Sequence, residues 1–392
     1  MLFTKNQEFY HILTTKSSVP YCYSKLECLF VAPYVFYTKD TTTSESNGHS
    51  HAVISSNLFP DYLKPVFDET IWKVVTLPQK KIEGFSIVIK ETTDIDTFMK
   101  TEFGKSFRQN IMRFLNRFEG CFNATYKMFH GEISKEDYDM YMSKLHRMLT
   151  VRFDQRNDDN KILNNWKYYL DTTFKMINSG KASLFIIYHN NNPVQISLNH
   201  HYNNILFVSV PSFDLDYFRF SLGNISIYKL LEWALNNNYR LVDMAYGKLE
   251  YKRRWSNYNY GFSHHIVASK NTIKSRLGLA MEIKKIQFKN YLKTKNIDVL
   301  KETLKQKLRG KGRAKSIEVH EIEVEHINDL NTSSLKKINI ENSEYDYIRK
   351  AIFDYLYEEK VNVNSTPVFE ILPQKKYVIG DSNNQQRIIK LI

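Results

Sequence analysis

The stretch KASLFIIYHNNNPVQISLNHHYNNILFVSV, residues 181–210, decides the fold. Its apolar runs at 182–188, 194–198 and 205–210 are rich in β-branched and aromatic residues, and Asn190-Asn191-Asn192-Pro193 and Asn203-Asn204 part them. Runs of this length between Asn and Pro turns predict a three-strand meander. After the polar loop 212–224, Ile227, Leu230, Leu231, Ala234 and Leu235 recur at helical spacing, and Asn236-Asn237-Asn238 closes that helix. Residues 241–245 read as one more strand, followed by Gly247 and the basic aromatic loop Tyr251-Lys252-Arg253-Arg254-Trp255. The predicted order is three strands, a helix, a strand and a loop that presents cations.

With 392 residues, 42% hydrophobic and 14% aromatic, the chain is long enough for two or three globular domains. No apolar run approaches the roughly 18 residues of a membrane span, and residues 1–9 are too polar for a signal peptide. Cys22, Cys28 and Cys121 lack the paired spacing of a zinc site or a disulfide framework, so a reducing cytoplasm is expected and no metal is assigned. The net charge of +13 is concentrated: residues 270–315 hold 15 Lys and Arg against Glu282, Asp298 and Glu302.

Toward the N-terminus, 34–38, 51–56 and 84–90 read as strands, with a polar loop at 41–50. Residues 94–103 and the stripe Phe107, Ile111, Phe114, Leu115, Phe118 are helical, as are a segment opening at Ser134 and another over 162–177. Residues 262–268 form a closing strand. Ile273, Leu277 and Ala280, then Ile297, Leu300, Leu304 and Leu308, predict two helices with Lys and Arg on their outer faces, before a linker at 310–313. Such basic helices pack on the core with a solvated side, lie on an anionic membrane surface or hold an acidic partner such as RNA. Beyond it, Glu318, Glu321, Glu323 and Glu325 alternate with Val319, Ile322 and Val324 as in a strand, and a helix at 345–357 with strands at 368–371 and 377–379 completes a small appended unit.

The order of elements resembles the acyl-CoA-binding core of the GNAT superfamily, and the motifs resemble its FemAB/CelD-like branch. They are the turn Asn192-Pro193-Val194, the loop Phe213-Asp214-Leu215-Asp216-Tyr217, the helix start Ser221-Leu222-Gly223, and Asp243 with Gly247, Tyr251, Lys252 and Trp255. Leu222 stands where proline is usual, and the turn carries Asn in place of Gly. Phe103 to Arg113 resembles the branch's opening helix and carries over Ser106, Arg108, Asn110 and Arg113. Leu145-His146-Arg147 matches a long helix. The resemblance covers about residues 100–270 and implies an α/β fold of tandem GNAT-like halves with mixed central sheets, plus a small C-terminal α+β domain. The corresponding boundaries are 1–178 for the N-terminal half with its helical insert, 179–270 for the acyltransferase core, 271–315 for the basic segment and 316–392 for the appended domain.

Acyl transfer from a thioester needs the reactants held together, a group to take the acceptor's proton and positive charge at the developing oxyanion. The resemblance gives the last task to Lys252; a run of cations is otherwise a solvated turn. Asp243, a polar residue in an apolar strand, is either the general base or orients Lys252 or Arg253 through a salt bridge; its unperturbed pKa near 4 favours orientation. His146 is a candidate base or a structural histidine. Arg219, Ser221, Gly223 and Asn224 precede a helix and suit a CoA diphosphate, although a glycine before a helix is also plain turn chemistry. Arg108 and Arg113 are candidates for an anionic substrate, or helix-surface arginines. Tyr251 and Trp255, with Tyr246, Tyr258 and Tyr260, line an acceptor pocket or pack on the sheet. His200-His201 and His264-His265 sit on strands, where neighbours face opposite ways, so neither pair chelates.

The expectation is a cytoplasmic N-acyltransferase of GNAT type. Acyl-CoA, acetyl-CoA included, is its co-substrate, no cofactor is permanently bound, and the acceptor is an amine such as an amino sugar of an envelope or polysaccharide precursor. Peripheral contact with the inner face of the membrane is expected through 271–315, in preference to nucleic acid. An aminoacyl-tRNA-dependent FemAB-type ligase and a non-catalytic membrane- or nucleic-acid-binding protein are the alternatives.

Overall fold

The computed structural model describes residues 4–16, 19–30, 35–38, 53–91, 94–156, 161–247, 249–295, 322–326, 335–371, 376–380 and 387–391. The expected loop at 41–50, the second basic helix over 297–308 and the linker at 310–313 lie outside them.

The chain opens with β1 (Thr4–Glu8), α1 (Phe9–Lys16), β2 (Lys25–Cys28), β3 (Val35–Thr38), β4 (Val53–Pro60), β5 (Leu63–Val66) and the long β6 (Trp72–Val88). Then come α2 (Ile95–Glu102), α3 (Lys105–Cys121), β7 (Ala124–Phe129), α4 (Lys135–Arg156), α5 (Lys161–Asn164) and α6 (Trp166–Asn178). The quoted stretch forms the predicted meander, β8 (Ala182–His189), β9 (Asn192–Tyr202) and β10 (Ile205–Phe213). It leads to α7 (Leu222–Asn236), β11 (Leu241–Tyr246), α8 (Glu250–Trp255), β12 (Tyr258–Ser269) and α9 (Ile273–Thr294). The C-terminal unit comprises β13 (Ile322–His326), β14 (Leu335–Lys337), α10 (Asp346–Glu359), β15 (Val368–Ile371), β16 (Lys376–Ile379) and β17 (Arg387–Leu391).

Strands of both expected halves join one mixed sheet of nine in the order β1-β4-β12-β6-β11-β10-β9-β8-β7. The pairs β1/β4 and β10/β11 are parallel and the others antiparallel. β12 lies between β4 and β6, so a strand from the end of the expected 179–270 segment completes the N-terminal part of the sheet.

Alternation along the strands sorts the core into two faces. Leu206, Val242 and Met244 pack with Phe98, Ile111, Leu115, Leu222, Leu230 and Trp255 beneath α2, α3, α7 and α8. Ile205, Phe207 and Leu241 point the other way, to Phe9, Tyr10 and Leu13 of α1. Tyr138, Leu145 and Leu149 of α4 and Ile177 of α6 cover the adjoining Leu184, Ile196 and Leu198. The result is a sheet between two helical layers.

The C-terminal unit has its own five-stranded sheet, β13-β17-β16-β15-β14. Its α10 shares the core of the large domain: the Phe353 ring lies tilted 4.6 Å from Tyr217 and edge-on 5.0 Å from Phe122, and Cys121 Sγ donates to the Leu356 carbonyl.

The outer face of α9 departs from expectation. Ile273, Leu277 and Ala280 do not form its buried stripe; Ser275, Gly278, Leu279, Glu282 and Ile286 do. Leu279 and Ile286 meet Val53, Ile266 and Ala268, and a Cβ on Gly278 would stand 2.9 Å from Val53 Cγ2, a close approach that only glycine permits.

Candidate active site

β10 and β11 run together only from Ile205/Leu241 to Phe207/Asp243. Beyond that point β10 stays with β9 and β11 stays with β6, so the two parallel strands part. Two irregularities mark the parting, a bulge between Val208 and Val210 and, across from it, Ala245 in the left-handed region at φ 58°. A cavity of about 350 Å³ fills the gap. Its walls are Val208, Ser209, Val210 and Pro211 on one side and Ala245, Tyr246, Leu249, Tyr251 and Lys252 on the other. α1 adds Tyr10, His11 and Thr14, α4 adds Leu149, Arg152 and Phe153, and Tyr169 closes it from α6.

Lys252 sits on α8, a short helix where a loop was expected. Only 8% of the residue is exposed, and Nζ donates to the Tyr246 carbonyl at 2.8 Å. Burial pulls its pKa from 10.5 to about 8, against the opposing pull of Asp243. Gly247, at φ 126°, makes the turn that brings the helix back over the strand end.

Asp243 is fully buried beneath the cavity. Its Oδ1 accepts from Tyr10 at 3.0 Å, Tyr260 at 2.8 Å and the Ala245 N–H at 2.6 Å, and its Oδ2 from Tyr62 at 2.7 Å and Tyr260 at 2.8 Å. Burial raises its pKa, and the hydrogen bonds from Tyr62, Ala245, Tyr260 and Tyr10 oppose that rise. No ion pair with Lys252 or Arg253 forms, which corrects the expected salt bridge. The carboxylate spends its lone pairs on holding Ala245 in its strained conformation and Tyr10 at the cavity wall.

The other expected residues are dispersed. His146 packs 5.1 Å from the Trp166 ring and does not line the cavity, as suits a structural histidine. Trp255 is fully buried, edge-on to Phe103 and Phe107, with Nε1 donating to Asn224 Oδ1 at 2.9 Å; it is a core residue and not a substrate contact. That bond occupies the Asn224 side chain, whose Nδ2 donates to Ser221 Oγ at 3.1 Å. Ser221 takes the left-handed φ of 58° before α7, and Gly223 has open space where a Cβ would stand. Arg219 is paired with Asp354 at 3.5 Å and with Glu358, both on α10, so the cation expected to hold a diphosphate is engaged by the C-terminal unit. Arg108 and Arg113 lie on α3, away from the cavity; Arg108 Nε is buried without a hydrogen-bond partner, and Arg113 lines a separate hollow with Arg117 and Lys360. Tyr251 and Tyr246 line the cavity, whereas Tyr260 serves Asp243 and Tyr258 meets Phe30 edge-on.

Several cavity residues carry no signal in the sequence. Tyr10 arrives from a helix 233 positions before Asp243. His200 Nδ1 lies 2.8 Å from Ser209 Oγ, and burial pushes its pKa down to about 3, so the ring is neutral. Its neighbour His201 faces the other side, toward Tyr239 and Ser183. Arg152 stacks over Phe213 at 5.2 Å and brings a second cation to the wall.

A larger cavity, about 830 Å³, lies between the 213–217 loop, α4 and α10. There burial and the neighbouring Asp214 push the Asp216 pKa up to about 7, with Arg349 at 3.7 Å opposing the rise.

No curated protein matches the chain. Among solved structures it is similar to a conserved protein of unknown function from Bacteroides thetaiotaomicron VPI-5482, at 12% identity over 56% of this chain and 70% of that one, with a TM-score of 0.38. It is similar to FemX at 8% identity over 46% and 61%, TM-score 0.36. L-PGS from Bacillus licheniformis is 12% identical over 59% and 72%, TM-score 0.33. Likenesses this slight say nothing about a substrate. Residues 105–253, from the start of α3 to the middle of α8, match the family model of the acetyltransferase (GNAT) domain. The chain is thus a mixed α/β protein of GNAT-like fold in which 149 of 392 residues are similar to an acetyltransferase (GNAT) domain.

Proposed function

We propose that the chain is an N-acyltransferase working where β10 and β11 part, and that it moves an acyl group from acyl-CoA to an amine. The observation that supports this most is Lys252, a cation almost removed from water on the wall of a cavity between parting parallel strands, with one of its three N–H donors spent on Tyr246. In a site of low polarity such a donor stabilises developing negative charge far better than it would in water. The amine nitrogen attacks the thioester carbonyl, the oxyanion forms beside Lys252 Nζ, and the carbon–sulfur bond breaks as the intermediate collapses. The thiolate takes up a proton in place of the one that the nitrogen gives up, leaving an amide and a thiol. Asp243 and Tyr10 position the wall. The resemblance to the FemAB/CelD-like branch supports an amino sugar of an envelope or polysaccharide precursor as acceptor.

One observation favours a second reading, an aminoacyl-tRNA ester as donor. Asp354 and Glu358 engage Arg219 where a CoA diphosphate would need a cation, and an ester of tRNA requires no diphosphate there. A screen of acyl-CoAs with amines and amino sugars for thiol release, beside aminoacyl-tRNA deacylation, tests both, with Lys252→Ala as the control. Consumption of neither donor, with no CoA binding, would remove the acyltransferase reading.

A further inference from the structure

The outward face of α9 is apolar where a helix on a water-facing surface should be polar. Ile273 is 77% exposed, Leu277 61%, Met281 66%, Phe288 61% and Tyr291 56%. At 3.6 residues per turn these five positions fall within an arc of roughly 80° and run about 27 Å along the helix. They lie opposite the buried Leu279 and Ile286, which anchor α9 to β4 and β12. Thr272 caps the helix by accepting the Ser275 N–H at 3.1 Å, and Asn290 Nδ2 donates to the Pro78 carbonyl at 3.0 Å, so the stripe is held outward on a fixed element.

Charge decides what covers such a stripe. Lys284 is exposed within that arc, between Ile273 and Leu277 in angle, and Arg276 and Lys289 are exposed on its two flanks. The one acidic residue of α9, Glu282, is buried and paired with Lys285 at 2.9 Å, so this surface carries no exposed carboxylate of its own helix. A second copy docking by twofold symmetry would set these cations against themselves. A polynucleotide would satisfy the cations and leave five large apolar side chains in water. An interfacial helix needs both features, apolar side chains to enter the acyl region and lysines at headgroup level.

We propose that α9 is the membrane-docking element of the protein, and that it seats the chain on a bilayer surface bearing anionic phospholipid. The test is co-flotation of the full chain with vesicles of phosphatidylglycerol and phosphatidylcholine, compared with phosphatidylcholine alone. This readout requires no turnover and is independent of the acyltransferase proposal. Binding is expected to the anionic vesicles and to weaken with salt. Leu277→Glu/Met281→Glu, at exposed positions that leave the fold intact by circular dichroism, is expected to abolish it. Lys284→Glu/Lys289→Glu is expected to weaken it at least thirtyfold, from about 1 kcal/mol per basic residue at the surface. Failure of the wild-type chain to float with anionic vesicles at low salt would overturn the proposal, as would undiminished binding by the Leu277→Glu/Met281→Glu variant. A wild-type dimer that the same variant converts to monomer would assign the stripe to a second copy and overturn it equally.

Discussion

Replacing Lys252 by methionine should separate catalysis from stability, because the two demands on this side chain oppose each other. At pH 7 the ammonium is charged in both the folded and the unfolded chain. The drop of its pKa from 10.5 to about 8 means that burial disfavours the charged form by roughly 3 kcal/mol. Methionine, of similar length, removes that cost and loses about 1 kcal/mol with the hydrogen bond to Tyr246. The variant is therefore expected to be about 2 kcal/mol more stable in urea unfolding at pH 7. The gap should narrow as pH rises from about 8 toward 10.5, where the unfolded chain holds a proton that the folded wild type has released, so wild-type stability climbs. Turnover should move the other way. Losing a charged donor at the oxyanion lowers kcat about 10²–10³-fold. Wild-type kcat, followed by thiol release or tRNA deacylation, should also fall as pH rises through about 8, and the variant should lack that limb. A Lys252→Met protein with undiminished kcat would refute the oxyanion role, and one destabilised at pH 7 would refute the account of its burial.

Tyr62→Phe removes one hydrogen bond to the buried Asp243 carboxylate and should destabilise the fold by about 1.5–3 kcal/mol in urea unfolding. Because Tyr62 does not line the cavity, kcat of the remaining folded protein should hold. Asp216 contributes in a pH-dependent way: its folded pKa is raised to about 7, so its contribution is full below the unfolded carboxylate value near 4 and is lost as pH rises through about 7. Asp216→Asn should flatten that part of the stability profile, read from thermal midpoints between pH 4 and 8. Arg219→Ala should leave the KM for the donor unchanged and cost no more than about 1 kcal/mol, since its partners are the partly exposed carboxylates of α10; a large rise in donor KM would return Arg219 to the binding site.

Local pattern was legible where one face of an element is buried by its own neighbours. The meander β8–β10, α7 and β11 follow from runs and turns within about ten residues of each other, and Lys252 could be singled out because a matching motif surrounds it. Sequence spacing does not say which side of a helix meets the sheet when both sides carry apolar residues. That is why spacing alone selects Ile273 and Leu277 for the buried stripe, whereas Leu279 and Ile286 form it. Trp255 could be read either as a pocket residue or as packed on the sheet, because an aromatic among cations suits both, and only Phe103 and Phe107, some 150 positions earlier, make it core. Asp243 was visible as a buried charge, but its donors Tyr10 and Tyr62 come from the far end of the chain. Arg219 takes its apparent role from its own loop, whereas its partners Asp354 and Glu358 lie on α10, more than 130 positions later in a unit with no recognised motif.

The position of β12 governs how this chain can be made. Until Ser269 has left the ribosome, Val53–Pro60 and Trp72–Val88 lack the strand that joins them, and each shows bare amide edges to whatever strand is near. Synthesis at about 5–20 residues per second leaves those edges uncovered for some 10 s or more, ample time for a chaperone to bind or for two nascent chains to pair. A fragment ending near residue 178 should therefore be insoluble, and any dissection of the molecule has to cut after 269.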